Sequence, residues 1–187
     1  LELGLRLSYL GWIEGDVGKT LREARATLED ARSPAAFHLM PLLAATALAS
    51  YFAGEVSDAR RFATRALARP EATERPHGYV YAHVVLALHA AEQLDVRSAN
   101  VHAEAALGAL SGAGLEETTT AAAAHLSSAV AHAAAGELRE AARSAAMAAR
   151  LFGETTTDAL HLHARLTLAE VQARRGELVE AAAELEE

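Results

Sequence analysis

The 187-residue sequence predicts an all-α protein built of repeated antiparallel helix pairs, and three observations support this prediction. A short motif of glycine, acid and aliphatic residue returns at spacings of 39, 40, 42 and 40 residues. Small residues follow each copy at spacings of four and then three, which places them on one helix face. Alanine, the best helix former, occurs 47 times, whereas only 5% of residues are aromatic. A fixed period of this length indicates a stack of helical repeats.

Each copy of the motif is expected to separate the two helices of one repeat. Its glycine can adopt the left-handed conformation that ends the first helix. The acid is expected to cap the second helix, where the helix dipole favours negative charge. The aliphatic residue is expected to be a buried anchor between the two helices. The copies are Gly15-Asp16-Val17, Gly54-Glu55-Val56, Leu94-Asp95-Val96, Gly136-Glu137-Leu138 and Gly176-Glu177-Leu178.

The links between repeats contain proline, glycine and hydroxyl side chains. Ser33-Pro34 and Arg75-Pro76 are typical of helix starts, and the four prolines are expected near segment ends. The runs Thr118–Thr120 and Thr155–Thr157 are expected to cap helix starts, a simpler interpretation than phosphorylation. The predicted repeats span residues 1–32, 33–70, 76–111, 115–152 and 155–187, within a single domain of residues 1–187.

Charge and composition argue against several classes of protein. The net charge of −8 argues against a nucleic-acid-binding surface, which is usually basic. The chain has no cysteine, which excludes disulfides and fits a cytoplasmic protein. No apolar run is long enough for a membrane span. Because the chain starts at Leu1 and ends at Glu187 inside helical patterns, we expect a fragment of a larger protein.

No residue pattern predicts catalysis or a cofactor. Gly18-Lys19-Thr20 resembles the end of a P-loop, but Ile13 stands where the first glycine is required. Neither a G-x-S-x-G nor an H-E-x-x-H motif is present, so we expect a protein that is not an enzyme. The nine histidines leave a metal site as an alternative, but His161 and His163 lie about 200° apart on a helix. Histidines at helix interfaces, in some cases sensitive to pH, are the simpler interpretation.

The repeat resembles the tetratricopeptide repeat (TPR) over the whole chain. A small residue precedes each turn, the Gly-acid-aliphatic turn follows, and small residues come five, nine and twelve positions after the glycine. The preceding small residues are Ser8, Ala47, Ala87, Ala129 and Ala169. The chain departs from the family pattern in having units five to eight residues longer than 34, and in mostly lacking its early Trp and closing Pro. The resemblance implies a right-handed superhelical solenoid of about five helix pairs.

The long, alanine-rich and arginine-rich units are also similar to the repeat region of LuxR-type transcriptional activators related to the maltose regulator. In that family the repeats sense an inducer or a partner beside nucleotide-binding and DNA-binding modules. The resemblance therefore implies a sensing region whose partners include other domains of the same protein.

The TPR resemblance also implies that the first helix of each repeat lines a concave groove. The groove is predicted to be apolar, with aromatic residues concentrated in the first two repeats, and suited to a peptide, an amphipathic helix or a small effector. The alternative is that these residues pack within and between repeats, or against other parts of a larger protein. The candidate groove residues are Tyr9, Trp12, Tyr51, Phe52, Tyr81, Leu88, Glu92, His163, Glu170 and Arg174.

The sequence thus predicts a non-enzymatic binding module without metal or cofactor, serving as the sensing or interaction region of a bacterial transcriptional regulator. The second hypothesis is a scaffold or assembly module, unrelated to transcription, that binds another protein permanently. The third is an enzyme with a metal held by histidines.

Overall fold

A computed structural model describes residues 16–30, 36–153 and 159–186 of the chain. Within these ranges it contains nine α-helices, one 3-10 helix at Ala72–Glu74 and no strand. The predicted all-α fold class, with helices packed in neighbouring pairs, is confirmed. The helices are α1 Val17–Asp30, α2 Ala36–Phe52, α3 Val56–Leu67, α4 Pro76–Glu92, α5 Val96–Ser111, α6 Thr119–Ala135, α7 Leu138–Phe152, α8 Ala159–Arg175 and α9 Leu178–Glu186.

The chain divides into two compact units, unit 1 at Leu1–Leu86 and unit 2 at Ala87–Glu187. The boundary falls within α4, so each unit is described by itself. The assignment of all 187 residues to a single domain stays a prediction. No helix in the described ranges is long and apolar enough to cross a membrane.

In unit 1, α2 packs against both α1 and α3. Its residues Met40, Leu42 and Leu43 are fully buried. Gly78 of α4 lies against Met40, where a Cβ would overlap the thioether, so glycine permits this close approach. Pro41 lies inside α2, which corrects the expectation that every proline stands near a segment end. Proline costs that helix one backbone hydrogen bond, and the burial of its neighbours offsets the loss.

In unit 2, each helix from α5 to α9 packs on the next, and α6 also packs on α8. Much of the core is alanine, as the composition predicts. One cluster joins the last turns of α4 with α5 and α6, and it consists of Ala87, Ala90, Ala91, Ala99, Ala103 and Ala131. Small side chains let helix axes approach closely, so helices separated by another helix can also come near each other.

The turn between the helices of a pair has the predicted left-handed residue. Gly54, Gly136 and Gly176 have φ of 77°, 78° and 85°. Leu94 holds the same position with φ of 57°, although it is not glycine. Gly15 lies outside the described residues. The turn prediction is therefore confirmed at every copy that the structure describes.

The acid after the turn has two different roles, and this corrects the expectation that it always caps the second helix. Asp16 accepts a hydrogen bond from the Lys19 amide at 2.7 Å, and Asp95 accepts one from the Ser98 amide at 3.1 Å. Glu137 makes no such bond. Its longer side chain reaches back over the turn to His132 Nδ1, at 2.6 Å.

The other two glutamates also pair with a basic side chain. Glu55 makes no capping bond and contacts Arg25 of α1. Glu177 pairs with Arg175 at 2.7 Å. The extra methylene of glutamate moves its carboxylate away from the helix end, so capping is confirmed for aspartate only.

The aliphatic residue after the acid is less buried than predicted. Val17, Val56, Val96 and Leu138 are half-buried, and Leu178 is 67% exposed. Leu138 packs against a cluster that includes Val171 of the following helix α8, whereas Leu178 belongs to the last described helix. The anchor therefore depends on the next repeat and not only on its own pair.

The hydroxyl residues at helix starts are only partly within the described ranges. Thr118 caps α6 by accepting a hydrogen bond from the Ala121 amide at 3.4 Å, which confirms the predicted role. Ser33-Pro34 and Thr155–Thr157 lie outside the described residues.

Candidate functional site

Three first-helix segments lie side by side in unit 2. Ala131 of α6 belongs to the alanine cluster that contains the last turns of α4, and α6 also packs on α8. Helix α6 therefore lies between the end of α4 and α8. Its buried side chains are small, and they include the run Ala121–Ala124. A central helix of this kind holds its two neighbours close together.

The charged residues on the two outer helices are close enough to interact. The carboxylates of Glu92, at the end of α4, and Glu170, on α8, both act to raise the pKa of His163. Burial is the larger effect, and it holds the pKa of His163 below its usual value. Because its pKa is lowered, His163 is mainly neutral at pH 7.

Arg174 completes this polar group on α8. Its Nη1 lies 3.6 Å from Glu170 Oε1, one helical turn away. Both side chains reach solvent, so this ion pair is a weak one. Glu170 and Arg174 thus form an ion pair, and the carboxylates of Glu92 and Glu170 influence His163 electrostatically, so these four residues form one electrostatic group in unit 2.

Two leucines beside this group are exposed to solvent. Leu162 is 54% exposed and Leu166 is 57% exposed, and one helical turn separates them. At 100° per residue, six of the residues between Leu162 and Arg174 of α8 fall within an arc of about 120°. This arc, called the α8 face below, contains Leu162, His163, Leu166, Glu170, Ala173 and Arg174.

The α8 face combines an apolar stripe with a charged border. Leu162, Leu166 and Ala173 lie within about 40° of one another, and Glu170, His163 and Arg174 follow on one side. An apolar stripe bordered by charge on one surface is typical of a site that receives another chain.

The structure describes eight of the ten predicted groove residues, and these eight fall into two groups. Tyr9 and Trp12 lie outside the described residues. The aromatic and aliphatic members that the structure describes pack at least partly against the chain itself. Tyr51 is 8% exposed, and its ring is roughly perpendicular to that of Phe52, with the ring centroids 5.2 Å apart. Tyr81 is half-buried, and Leu88 is fully buried.

The polar members behave differently. Glu92, Glu170 and Arg174 are exposed, and together with His163 they form the electrostatic group just described. Leu162 was not among the predicted site residues, because it lies outside the groove positions of the repeat. Its spacing of four residues from Leu166 is the signal that could have found it.

The other histidines occupy separate places. The rings of His161 and Phe152 are stacked, with their centroids 5.9 Å apart, and His132 pairs with Glu137. Burial lowers the pKa of His125, and the nearby Arg150 lowers it further. In the described ranges, no group of three or more His, Cys, Asp or Glu side chains could hold a metal ion.

Comparisons with known proteins support the fold. No protein-family model and no curated protein matches the chain. The crystal structure of the apo form of RapI matches with a TM-score of 0.58 at 14% identity, and the match covers 97% of this chain and 50% of RapI. The crystal structure of BtubC (BKLC) from P. vanneervenii matches with a TM-score of 0.65 at 19% identity, covering 99% of this chain and 76% of BtubC.

Both of these solved structures are helical-repeat proteins, consistent with a TPR-like fold. The chain spans half the length of RapI. At these identities the likeness shows the fold alone.

Proposed function

We propose that this chain is a non-enzymatic protein-interaction module that binds a segment of another protein on the α8 face. The main support is the exposure of Leu162 and Leu166, each more than half exposed on one helix surface. A globular surface tolerates single exposed leucines, but two in adjacent turns form a stripe that a partner can cover. The helical-repeat fold of the matched structures fits an interaction role.

A peptide segment suits this surface better than a small molecule does. Small-molecule sites are usually concave and enclose most of the ligand. The leucine side chains stand open to solvent on one helix, and Ala173 extends their stripe over about three turns. A helix of similar length can lay an apolar face along such a stripe.

The proposal can be tested with displayed peptides of about 12–16 residues, which form three to four helical turns. Binders to the 187-residue chain would be selected and their affinities measured by fluorescence anisotropy. Leu166→Arg is expected to weaken them at least about tenfold, because it places a charge in the stripe. Val101→Arg is the matched control, because Val101 is 56% exposed on α5, a different surface.

Two results would contradict the proposed function. One is the recovery of no peptide binder at all. The other is a set of binders whose affinity falls equally in Leu166→Arg and in Val101→Arg, because the site would then not be the α8 face.

We further propose that this module is the sensing or interaction region of a bacterial transcriptional regulator, in the cytoplasm. The support is the similarity of its long repeats to those of LuxR-type activators. Comparing transcripts between a strain with the gene and a deletion strain tests this step. Unchanged transcript levels, together with a partner that stays bound through purification, would favour the alternative of a permanent scaffold.

A further inference from the structure

Helices α8 and α9 repeat the register of α6 and α7 at a spacing of 40 residues. In unit 2, α8 packs on both α6 and α7. Six apolar residues of the α6–α7 pair recur as apolar residues in the α8–α9 pair, and in α6 and α7 all six are buried or half-buried. They are Ala122, Leu126, Ala133, Leu138, Ala142 and Ala145.

The corresponding residues of α8 and α9, called the α8–α9 surface below, are all exposed. They are Leu162, Leu166, Leu178 and Leu185, which are 54%, 57%, 67% and 62% exposed, together with the exposed Ala173 and Ala182. The two helices pack on each other, as α6 and α7 do. Four of the seven large hydrophobic side chains that are exposed in the described ranges belong to this surface, so apolar exposure is concentrated there.

The contacts of α8 show what covers the same positions of α6 and α7. Val171 belongs to a cluster that includes Ala133 of α6 and Ala142 of α7, and Leu138 packs against this cluster. One turn earlier, Leu168 belongs to a cluster with Ala129 of α6 and Ala145 of α7. A single helix with aliphatic residues three positions apart therefore covers the α6–α7 pair.

The α8–α9 surface differs from its counterpart in the size of two side chains. Leu162 takes the place of Ala122, and Leu185 takes the place of Ala145. A helix with a leucine at the Leu168 position would therefore meet the larger Leu185. Because packed surfaces tolerate exchanges that conserve volume and oppose overpacking, the position opposite Leu185 requires a small residue.

We propose that the partner segment is a helix of another protein that packs on both α8 and α9, as α8 packs on α6 and α7. Its residue opposite Leu185 is alanine, and three positions later an aliphatic residue packs against Ala173, Leu178 and Ala182. This inference rests on the proposed function and adds the chemistry and position of the partner to it. A second copy of this chain is a poorer occupant, because Leu168 and Val171 of its own α8 are buried within it.

Two fluorescein-labelled peptides test the proposal. One has the 17-residue sequence of α8, Ala159–Arg175, and the other has the same sequence with Leu168→Ala. Fluorescence anisotropy would measure their affinities for the full 187-residue chain. The Leu168→Ala peptide is expected to bind about tenfold more tightly, because its alanine makes room for Leu185.

Leu185→Ala in the full chain is expected to reverse this order, because it restores the small residue that Leu168 meets at Ala145. The reversal separates fit from the helix propensity of the peptides, which a change in the protein leaves unaltered. An unchanged order in Leu185→Ala would overturn the inference.

A pair of neighbouring variants shows whether α9 takes part in binding. Leu178→Arg is expected to weaken binding of the Leu168→Ala peptide about tenfold. Val179→Arg is the matched control, because Val179 is 80% exposed on the same helix and corresponds to Arg139, which is exposed on α7. The control is expected to change binding by less than about twofold. Circular dichroism would verify that both variants retain the helical fold.

The contrary results distinguish the inference from the proposed function. Equal weakening by Leu178→Arg and Val179→Arg overturns the inference, as does a chain that forms a dimer in light scattering and dissociates in Leu178→Arg. Displayed binders that depend on Leu166 and not on Leu178 overturn the inference and leave the proposed function in place. A chain that binds neither the α8 peptides nor displayed peptides overturns both.

Discussion

Leu94 and Gly136 hold the same position in their repeats, and both have a left-handed backbone, with φ of 57° and 78°. A left-handed conformation costs a residue with a Cβ about 1–2 kcal/mol, whereas glycine adopts it without that cost. Leu94 is 77% exposed, so its side chain recovers little of this energy by burial. The turn after α4 is therefore strained where the turn after α6 is relaxed.

We expect Leu94→Gly to stabilise the protein by about 0.5–1 kcal/mol, which is the relief of strain minus the larger entropy that glycine loses on folding. The thermal midpoint is expected to rise by roughly 1–4 °C, measured by circular dichroism. Leu94→Ala is the control, because alanine retains the strain. A lower midpoint for Leu94→Gly than for Leu94→Ala would contradict the argument.

Replacing glycine with alanine in the relaxed turn after α6 should destabilise the protein. A Cβ at Gly136 would meet no atom within 4 Å, so steric overlap with other residues plays no part. Gly136→Ala is therefore expected to cost about 1 kcal/mol through backbone strain alone. Urea unfolding would measure this loss of stability. An unchanged free energy of unfolding would show that the turn can relax to another conformation.

The repeat register explains why the sequence predicted so much of the fold. The register identified Leu94 as a turn residue although it is leucine, because four glycine-containing copies set the spacing. The run of hydroxyl residues Thr118–Thr120 separately predicted the Thr118 cap. The bounds of α4 and α6 follow from Pro76 and Gly136, whose backbone preferences are local and strong.

The features that the sequence did not predict depend on tertiary contacts. Whether an acid caps a helix or pairs with a base depends on side-chain length and on what lies opposite, such as His132 facing Glu137. Leu138 is covered by α8, whereas Leu178 is not, although both fit the same motif.

The candidate site was predictable only in part for the same reason. The register placed Glu92, His163, Glu170 and Arg174 on first helices, and the structure brings them together. Their proximity across α6 depends on how closely alanine-rich helices approach, which no local pattern specifies. Leu162 was missed because helix geometry, and not repeat position, puts it on the exposed face.

Asp95, which caps a helix, and Glu137, which pairs with His132, should differ in how much their mutation lowers the stability of the protein. Asp95→Ala removes the acceptor of the Ser98 amide and is expected to lower the thermal midpoint by about 2–4 °C. Asp95→Asn retains an acceptor and should cost less. Glu137→Ala removes only an exposed pair with His132, so a smaller loss is expected. A larger loss for Glu137→Ala than for Asp95→Ala would contradict the assignment of Asp95 as the cap.

The effect of Asp95→Ala should also depend on pH. Hydrogen bonds from the Ser98 side chain and amide lower the pKa of Asp95. An acid with a lowered folded-state pKa stabilises the protein fully above its unfolded pKa, near 3.8, and loses this contribution as the pH falls through the folded value. The midpoints of wild type and Asp95→Ala are thus expected to converge in acid. A difference between the two midpoints that stays constant down to the lowest pH at which the protein is folded would contradict this expectation.

In unit 1, Arg25 connects α1 with the start of α3. Its guanidinium contacts Glu55 and lies 2.8 Å from Asp58 Oδ2, with about a third of its side chain exposed. Partly exposed pairs contribute about 0.2–1 kcal/mol, and more when one base serves two acids. Arg25→Met, which retains the aliphatic stem, is expected to cost about 0.5–1 kcal/mol, and less at high salt. A double-mutant cycle with Asp58→Asn measures the coupling energy between Arg25 and Asp58. A coupling energy of zero would show that this contact does not stabilise the protein.

His163 should make the protein less stable in acid. Burial lowers the folded-state pKa of His163, so in the unfolded chain it takes up its proton first, near pH 6.5. Between that pH and the lower folded value, the unfolded state binds more protons, so the free energy of unfolding decreases as the pH falls. Above the unfolded pKa, His163 adds no pH dependence.

His163→Gln should therefore reduce the fall in thermal midpoint between pH 7 and pH 5. His102 and His125 also have pKa values lowered by burial, so the dependence should become smaller without disappearing. Leu162→Gln is the control, because it changes the same face of α8 without removing a titratable group. If His163→Gln has the same pH dependence as the wild type, the carboxylates of Glu92 and Glu170 balance the effect of burial, and the pKa of His163 is the same in the folded and unfolded states, contrary to the expectation.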